Sequence, residues 1–254
     1  MKFSSKVKKC GLSPMRKFHP YAVAAEAAGK KIYHLNIGQP DIETPPQYFD
    51  AVRSFHLPVL EYAPSPGMPV LIDAIRKYYD GLNIHFDKDE ILITTGGSEA
   101  IQIIFNCILE DGDEVLIPEP YYPNYNTMIN ACSAVIHPIH TSPEDGYHYA
   151  SREKIVSEIT RRTRAIVCIN PGNPTGAVLT HEEMRMMVDI AKEYGLFIIG
   201  DEAYREFVYD GGPLQSLASF DDAAENGVVI DTVSKRFSAC GARAGCILSR
   251  NKEL

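Results

Sequence analysis

The segment Ile91-Leu-Ile-Thr-Thr-Gly-Gly-Ser-Glu-Ala-Ile-Gln-Ile-Ile-Phe-Asn-Cys-Ile-Leu109 changes its period halfway. Ile91 to Thr94 is an apolar, largely β-branched run, Glu99 to Leu109 repeats apolar residues three and four apart, and two glycines divide them. That order reads as a buried strand, a tight turn and a helix laid back on the sheet. Toward the C-terminus the same alternation recurs. Strands are predicted over Glu114 to Ile117, Ala134 to Pro138, Ala165 to Ile169, Leu196 to Ile199, Val228 to Thr232 and Ala244 to Leu248. Helical periods fill Tyr122 to Ala131, Arg152 to Thr160 and Glu182 to Tyr194. Strands alternating with helices predict an α/β fold: a mostly parallel seven-stranded sheet with helices on both faces. Toward the N-terminus the pattern differs, with a helix from about Pro14 to Ala28, opened by the Ser13-Pro14 start signal. A strand at Ile32 to Leu35 and helices near Gln47 to Phe55 and Met68 to Tyr79 fill the rest of the N-terminal third, and the whole reads as one α/β domain with an N-terminal arm.

Composition bounds the function. The chain has 254 residues, 45% hydrophobic, and 25 basic against 33 acidic side chains give a net charge of -8. Such a surface repels a polyphosphate backbone, and no local basic stripe offsets it, so nucleic acid is not an expected partner. Residues 1 to 20 hold no apolar run of signal-peptide length and no segment approaches a membrane span, which predicts a cytoplasmic protein with no membrane partner. Six scattered cysteines lack CxxC spacing and read as buried free thiols. His137 and His140 have no third ligand nearby, so no metal is expected.

In open α/β sheets ligands gather at the carboxyl ends of the strands, and the residues there are informative. Gly96-Gly97-Ser98 opens a helix, whose free N–H groups suit a phosphate, although a Gly-Gly-Ser turn capped by Ser98 needs no ligand. Neither GxGxxG nor GK[ST] is present, which argues against a dinucleotide or nucleoside triphosphate. Asn170-Pro-Gly-Asn-Pro-Thr-Gly176 is a rigid turn that fixes the Asn173 amide, though turns use these residues anyway. Asp201 ends a strand with Tyr204 three residues on, a position where Asp is often a mere cap. Ser234-Lys235 follows a strand, and Arg243 lies among small residues that leave room for an anion. Each feature alone has a bland reading; all of them at one sheet edge do not.

With Asn36-Ile-Gly-Gln-Pro-Asp41, Tyr62 with Gly67, Gly96 to Ala100, Pro118-Glu-Pro-Tyr-Tyr-Pro123, Asn170 to Gly176, Asp201-Glu-Ala-Tyr204 and Ser234-Lys235 with Arg243, the sequence resembles the class I/II, aspartate aminotransferase-like family of fold-type I pyridoxal-phosphate enzymes. The resemblance runs from Ser13 to Leu248. It implies pyridoxal 5'-phosphate as cofactor and transfer of an amino group between an L-amino acid and a 2-oxo acid. It also implies a homodimer with shared active sites, residues 1–45 as an arm and part of a small domain, and residues 46–254 as the cofactor-binding large domain.

Residue by residue, the resemblance makes Lys235 the covalent anchor and proton carrier, Asp201 the partner of the ring nitrogen, and Asn173 and Tyr204 the donors to the ring's phenolic oxygen. Tyr122 stacks on the ring. Gly97, Ser98 and Glu99 offer backbone N–H groups to the phosphate, with Ser234 and Arg243, and Tyr62 reaches the neighbouring subunit's cofactor. Glu99 gives only its N–H, its carboxylate turned away. Gly38 and Asn173 receive the substrate, Gly38 by letting its carboxylate approach the backbone. Two departures stand out. Ile72 occupies a place where relatives carry a basic residue, which predicts a surface or interface change. Family chains also continue into a C-terminal small domain bearing the arginine for the substrate's α-carboxylate, so the sequence is expected to be truncated and its activity impaired. Lyases and decarboxylases on the same scaffold, or a non-catalytic cofactor-binding fragment, are the rival readings.

Overall fold

The computed structural model describes residues 1–11, 14–210 and 212–254. Seven strands form one sheet: β1 (Ile91–Thr94), β2 (Glu114–Glu119), β3 (Val135–His140), β4 (Thr163–Ile169), β5 (Phe197–Asp201), β6 (Gly227–Thr232) and β7 (Gly245–Leu248), in the order β1-β7-β6-β5-β4-β2-β3. All neighbours pair in parallel except β7, which runs antiparallel to both β1 and β6. The predicted mostly parallel seven-stranded sheet is therefore what forms.

Strand parity splits the core in two, because successive side chains point to opposite faces. Leu116, Ile166, Cys168, Ile198 and Val229 pack on one face against α4 (Pro69–Asp80) and α8 (His181–Glu193). Val115, Ile117, Val167, Ile199 and Ile230 pack on the other against α5 (Gly97–Ile108) and α6 (Asn124–Ala131). Strands covered on both faces read as continuous apolar runs, which is why they stood out in the sequence. Thr180 and Glu183 form a capping box that starts α8, and α7 (Arg152–Ser157) stops three residues short of the predicted Thr160.

Several expectations need correction. Ile72 is buried at 4% exposure inside the α4 core, where a basic residue would be desolvated, so it is a packing residue and not a surface change. No strand forms at Ile32 to Leu35 among the described residues; Tyr33 and Leu35 are exposed and no neighbouring strand pairs with the run. The first long helix, α2, covers His19–Ala27, with residues 14–18 in turns before it, and the Ser13 start signal lies outside the described residues. A short α1 (Ser5–Lys9) precedes it, and α3 (Pro46–Ser54) matches its prediction within a residue. Neither α2 nor α3 buries a residue, so both helices lie on the surface. Of the cysteines, Cys132, Cys168 and Cys246 are buried as expected, Cys10 and Cys240 are partly buried, and Cys107 is exposed because it falls on the outer side of α5; all six are free. His137 bonds Glu158 at 2.8 Å while His140 faces Glu119 at 3.3 Å, so each histidine has its own carboxylate.

Candidate active site

The carboxyl ends of β1, β4, β5 and β6 open into one cleft of about 580 Å³, the size of a small-molecule site. Two other concavities hold about 20 Å³ each, room for little more than a water molecule. Because β7 is antiparallel, its first residue, Gly245, pairs with the last residues of β1 and β6, Thr94 and Thr232. Arg243, two residues earlier, therefore reaches the same edge as Gly96 and Lys235.

The glycines make that approach possible. Gly96 has φ +95°, and a Cβ there would lie 2.4 Å from Arg243 Nη2. A Cβ on Gly245 would lie 2.7 Å from the Gly96 backbone. Only two bare backbones let the Arg243 guanidinium lie across the start of α5. There it donates to the Thr95 carbonyl at 3.0 Å and the Cys240 carbonyl at 2.9 Å, with no carboxylate partner among the described residues. No side chain caps α5, whose N-cap is Gly96, so Ser98 is the second helical residue and not the cap. The first-turn N–H groups and an unpaired guanidinium thus converge, the arrangement that binds phosphate. Glu99 turns its carboxylate back to accept from the Thr95 N–H at 2.5 Å, and that bond holds its pKa below the usual value.

Asp201 stands across the cleft at the end of β5. It is buried, accepts from the Tyr125 hydroxyl at 2.8 Å and the Ala203 N–H at 3.2 Å, and forms no ion pair among the described residues. Burial raises its pKa, with the Asp231 charge adding to the rise. A buried carboxylate without a cation is a costly group that a protonated ring nitrogen would match. Asn173 and Tyr204 sit beside it, Nδ2 to OH 3.4 Å, and burial pushes the Tyr204 hydroxyl up to about 12, keeping it a donor. Tyr122 lines the wall, its hydroxyl accepting from Asn124 Nδ2 at 2.6 Å and its pKa raised by burial and then by Asp201.

Lys235 lies in α9 (Val233–Arg236), a single turn that follows β6 directly. Its Nζ donates to the Gly38 carbonyl at 2.6 Å and lies 5.6 Å from the Tyr204 ring centroid. Ser234 is buried, its hydroxyl 2.9 Å from Thr232 Oγ1.

The cleft thus gathers Gly38, Gly97, Ser98, Tyr122, Asn173, Asp201, Tyr204, Ser234, Lys235 and Arg243. Glu99 and Tyr62 are exposed and do not line it. The residues fit pyridoxal phosphate: an amine, a buried carboxylate and an anion cradle face one space. The sequence reading missed Thr232, Asn124, Arg16 and Cys240, which also line the cleft, and Tyr125, which bonds Asp201. Only Thr232 had a local signal, as a hydroxyl entering a helix. Among the described residues, no three His, Cys, Asp or Glu side chains group as a metal would need, and no helix is long and apolar enough to cross a membrane.

Residues 30–254 match the family model described as Aminotransferase class I and II. A probable aspartate/prephenate aminotransferase of Aquifex aeolicus is 34% identical over 247 residues, covering 96% of this chain and 62% of its own length. An aspartate aminotransferase of Bacillus subtilis is 34% identical over 224 residues, 87% of this chain and 56% of its own. Among solved structures, aspartate aminotransferase from Thermus thermophilus with maleate is similar with a TM-score of 0.91 at 29% identity, covering 100% of this chain and 65% of that one. The chain therefore spans less than two thirds of the length of these relatives.

Proposed function

Because the chain belongs to the class I and II aminotransferase family, we propose that it binds pyridoxal 5'-phosphate and moves an amino group from an L-amino acid to a 2-oxo acid. One observation carries this reading: the Lys235 amine, the unpaired buried Asp201 carboxylate and the Arg243-lined start of α5 face a single cleft. When bound, the cofactor supplies an electron-withdrawing ring conjugated to the substrate's Cα. Lys235 would hold the cofactor covalently through its amine, and that amine, when free, would be placed to move the proton at Cα. Asp201 keeps the ring nitrogen protonated, its own charge favoured by the cation it gains. Asn173 and Tyr204 donate to the phenolic oxygen, and Tyr122 covers the ring face. The N–H groups of Gly97, Ser98 and Glu99, the Ser234 hydroxyl and Arg243 hold the phosphate. Gly38 and Asn173 orient the substrate's carboxylate.

Assembly follows the same reading. Tyr62, exposed in one copy, is assigned to the neighbouring copy's cofactor, so a homodimer completes each site. Residues 1–45 act as an arm and part of a small domain, residues 46–254 as the cofactor domain, and the protein works in the cytoplasm. L-Aspartate is the first donor to test, given the names of the relatives. Incubation of the cofactor-loaded chain with L-aspartate should yield stoichiometric pyridoxamine phosphate and oxaloacetate. Carbon dioxide or ammonia without pyridoxamine phosphate would assign a decarboxylase or lyase instead, and a spectrum indifferent to every amino acid a non-catalytic binder.

A further inference from the structure

Beside the cleft, but not lining it, lies a buried group of charges and tyrosines. Helix α9 is one turn long, and a single turn has little stability of its own. Both of its ends are tied. At the start, Thr232 Oγ1 accepts from the Ser234 N–H at 3.2 Å and donates to the Ala244 carbonyl at 2.9 Å. At the finish, the guanidinium of Arg236 turns back to the carboxylate of Asp231 in β6. Asp231 also accepts from the Thr232 N–H at 2.6 Å and the Tyr79 hydroxyl at 3.0 Å. The Arg236 guanidinium lies 4.5 Å from the Tyr78 ring centroid, and the paired side chains are 9% and 6% exposed.

We propose that the Asp231–Arg236 pair is the positioning device for Lys235, fixing the direction in which that side chain leaves α9 without itself touching cofactor or substrate. Lys235 immediately precedes Arg236, so any rotation of the turn is amplified along four methylenes to Nζ. Stability alone does not call for this pair, since apolar side chains of similar volume commonly serve as well as a buried ion pair. A bonded pair adds a direction: Arg236 holds one end of the turn to the strand from which the other end springs.

This inference rests on Lys235 as the covalent anchor, and the test separates the two. With the full chain, the rate of borohydride-trappable capture of saturating pyridoxal phosphate is compared with the affinity for pyridoxamine phosphate, which has no aldehyde for a lysine to capture. Arg236→Gln and the double variant Asp231→Asn/Arg236→Gln should slow capture on the order of 10- to 100-fold, with pyridoxamine phosphate affinity within about twofold of the parent. Arg236→Lys should fall between. If Arg236→Gln fails to fold because Asp231 is left buried and unpaired, the double variant, which leaves neither charge, decides the matter. Capture at the parental rate by the double variant would overturn the positioning role and leave Lys235 as anchor. Parallel loss of capture and pyridoxamine phosphate affinity would make the pair merely structural and overturn it too. No capture by the parent at Lys235 would overturn both readings.

Discussion

Replacing Asp201 by asparagine should stabilise the cofactor-free protein at neutral pH and weaken its grip on the cofactor. Burial raises the Asp201 pKa, so the folded chain keeps this proton to higher pH than the unfolded chain does. The cost of the buried anion is absent below the unfolded value of 3.8, grows as pH rises and is complete above the folded value. The amide never ionises and avoids it. Its oxygen can keep the Ala203 N–H while its NH2 donates to the Tyr125 hydroxyl, which accepts as well as donates, so the bonds of 3.2 and 2.8 Å are both replaced. Toward a protonated ring nitrogen, the neutral oxygen forfeits a charge-assisted bond, about 1.5 to 3 kcal/mol or roughly 10- to 150-fold in Kd. Thermal melts of Asp201→Asn and parent without cofactor, at pH 4 and pH 8, should show a gain in Tm that is larger at pH 8. Titration with pyridoxamine phosphate should show the loss in affinity. A variant that melts below the parent at pH 8, or binds as tightly, would refute the account of Asp201 as a buried carboxylate awaiting a cation.

Gly96→Ala should cost about 1 to 3 kcal/mol in chemical denaturation, because φ +95° is glycine's territory and the methyl would strike the Arg243 guanidinium; phosphate-dependent affinity should fall with it. Glu202→Gln should cost about 3 to 5 kcal/mol, read as a lowered Tm, since Glu202 is fully buried and accepts from Arg205, Ser216 and the Leu217 N–H. Sedimentation of the loaded protein should give two copies, and Tyr62→Ala should weaken cofactor binding without lowering the Tm, its side chain being fully exposed in one copy. A monomer with parental affinity would contradict the shared site.

The sheet was legible because its strands are buried on both faces. Ala165 to Ile169 and Val228 to Thr232 carry β-branched runs that no solvated strand would sustain. The run at Ile32 to Leu35 has the same local look, but a strand is made by its neighbour, and none pairs with it among the described residues. Site residues at strand ends, such as Asp201 and Lys235, were legible for the same reason the strands were. The contacts that tune them were not. Tyr125 holds an apolar helical position, and its hydroxyl meets Asp201 only because α6 crosses the sheet there. Ile72 was expected to be a surface or interface change because relatives carry a basic residue there, whereas it packs into the core beneath α4. The Gly96–Arg243 approach depends on the reversal of β7, which no local pattern encodes.

Mass mapping shows whether the Lys235 amine is the cofactor's covalent anchor. The loaded protein is reduced with borohydride, digested, and its peptides weighed. The phosphopyridoxyl mass should fall on Lys235 alone and disappear in Lys235→Ala; a label on any other lysine, or one that survives that substitution, would contradict the assignment.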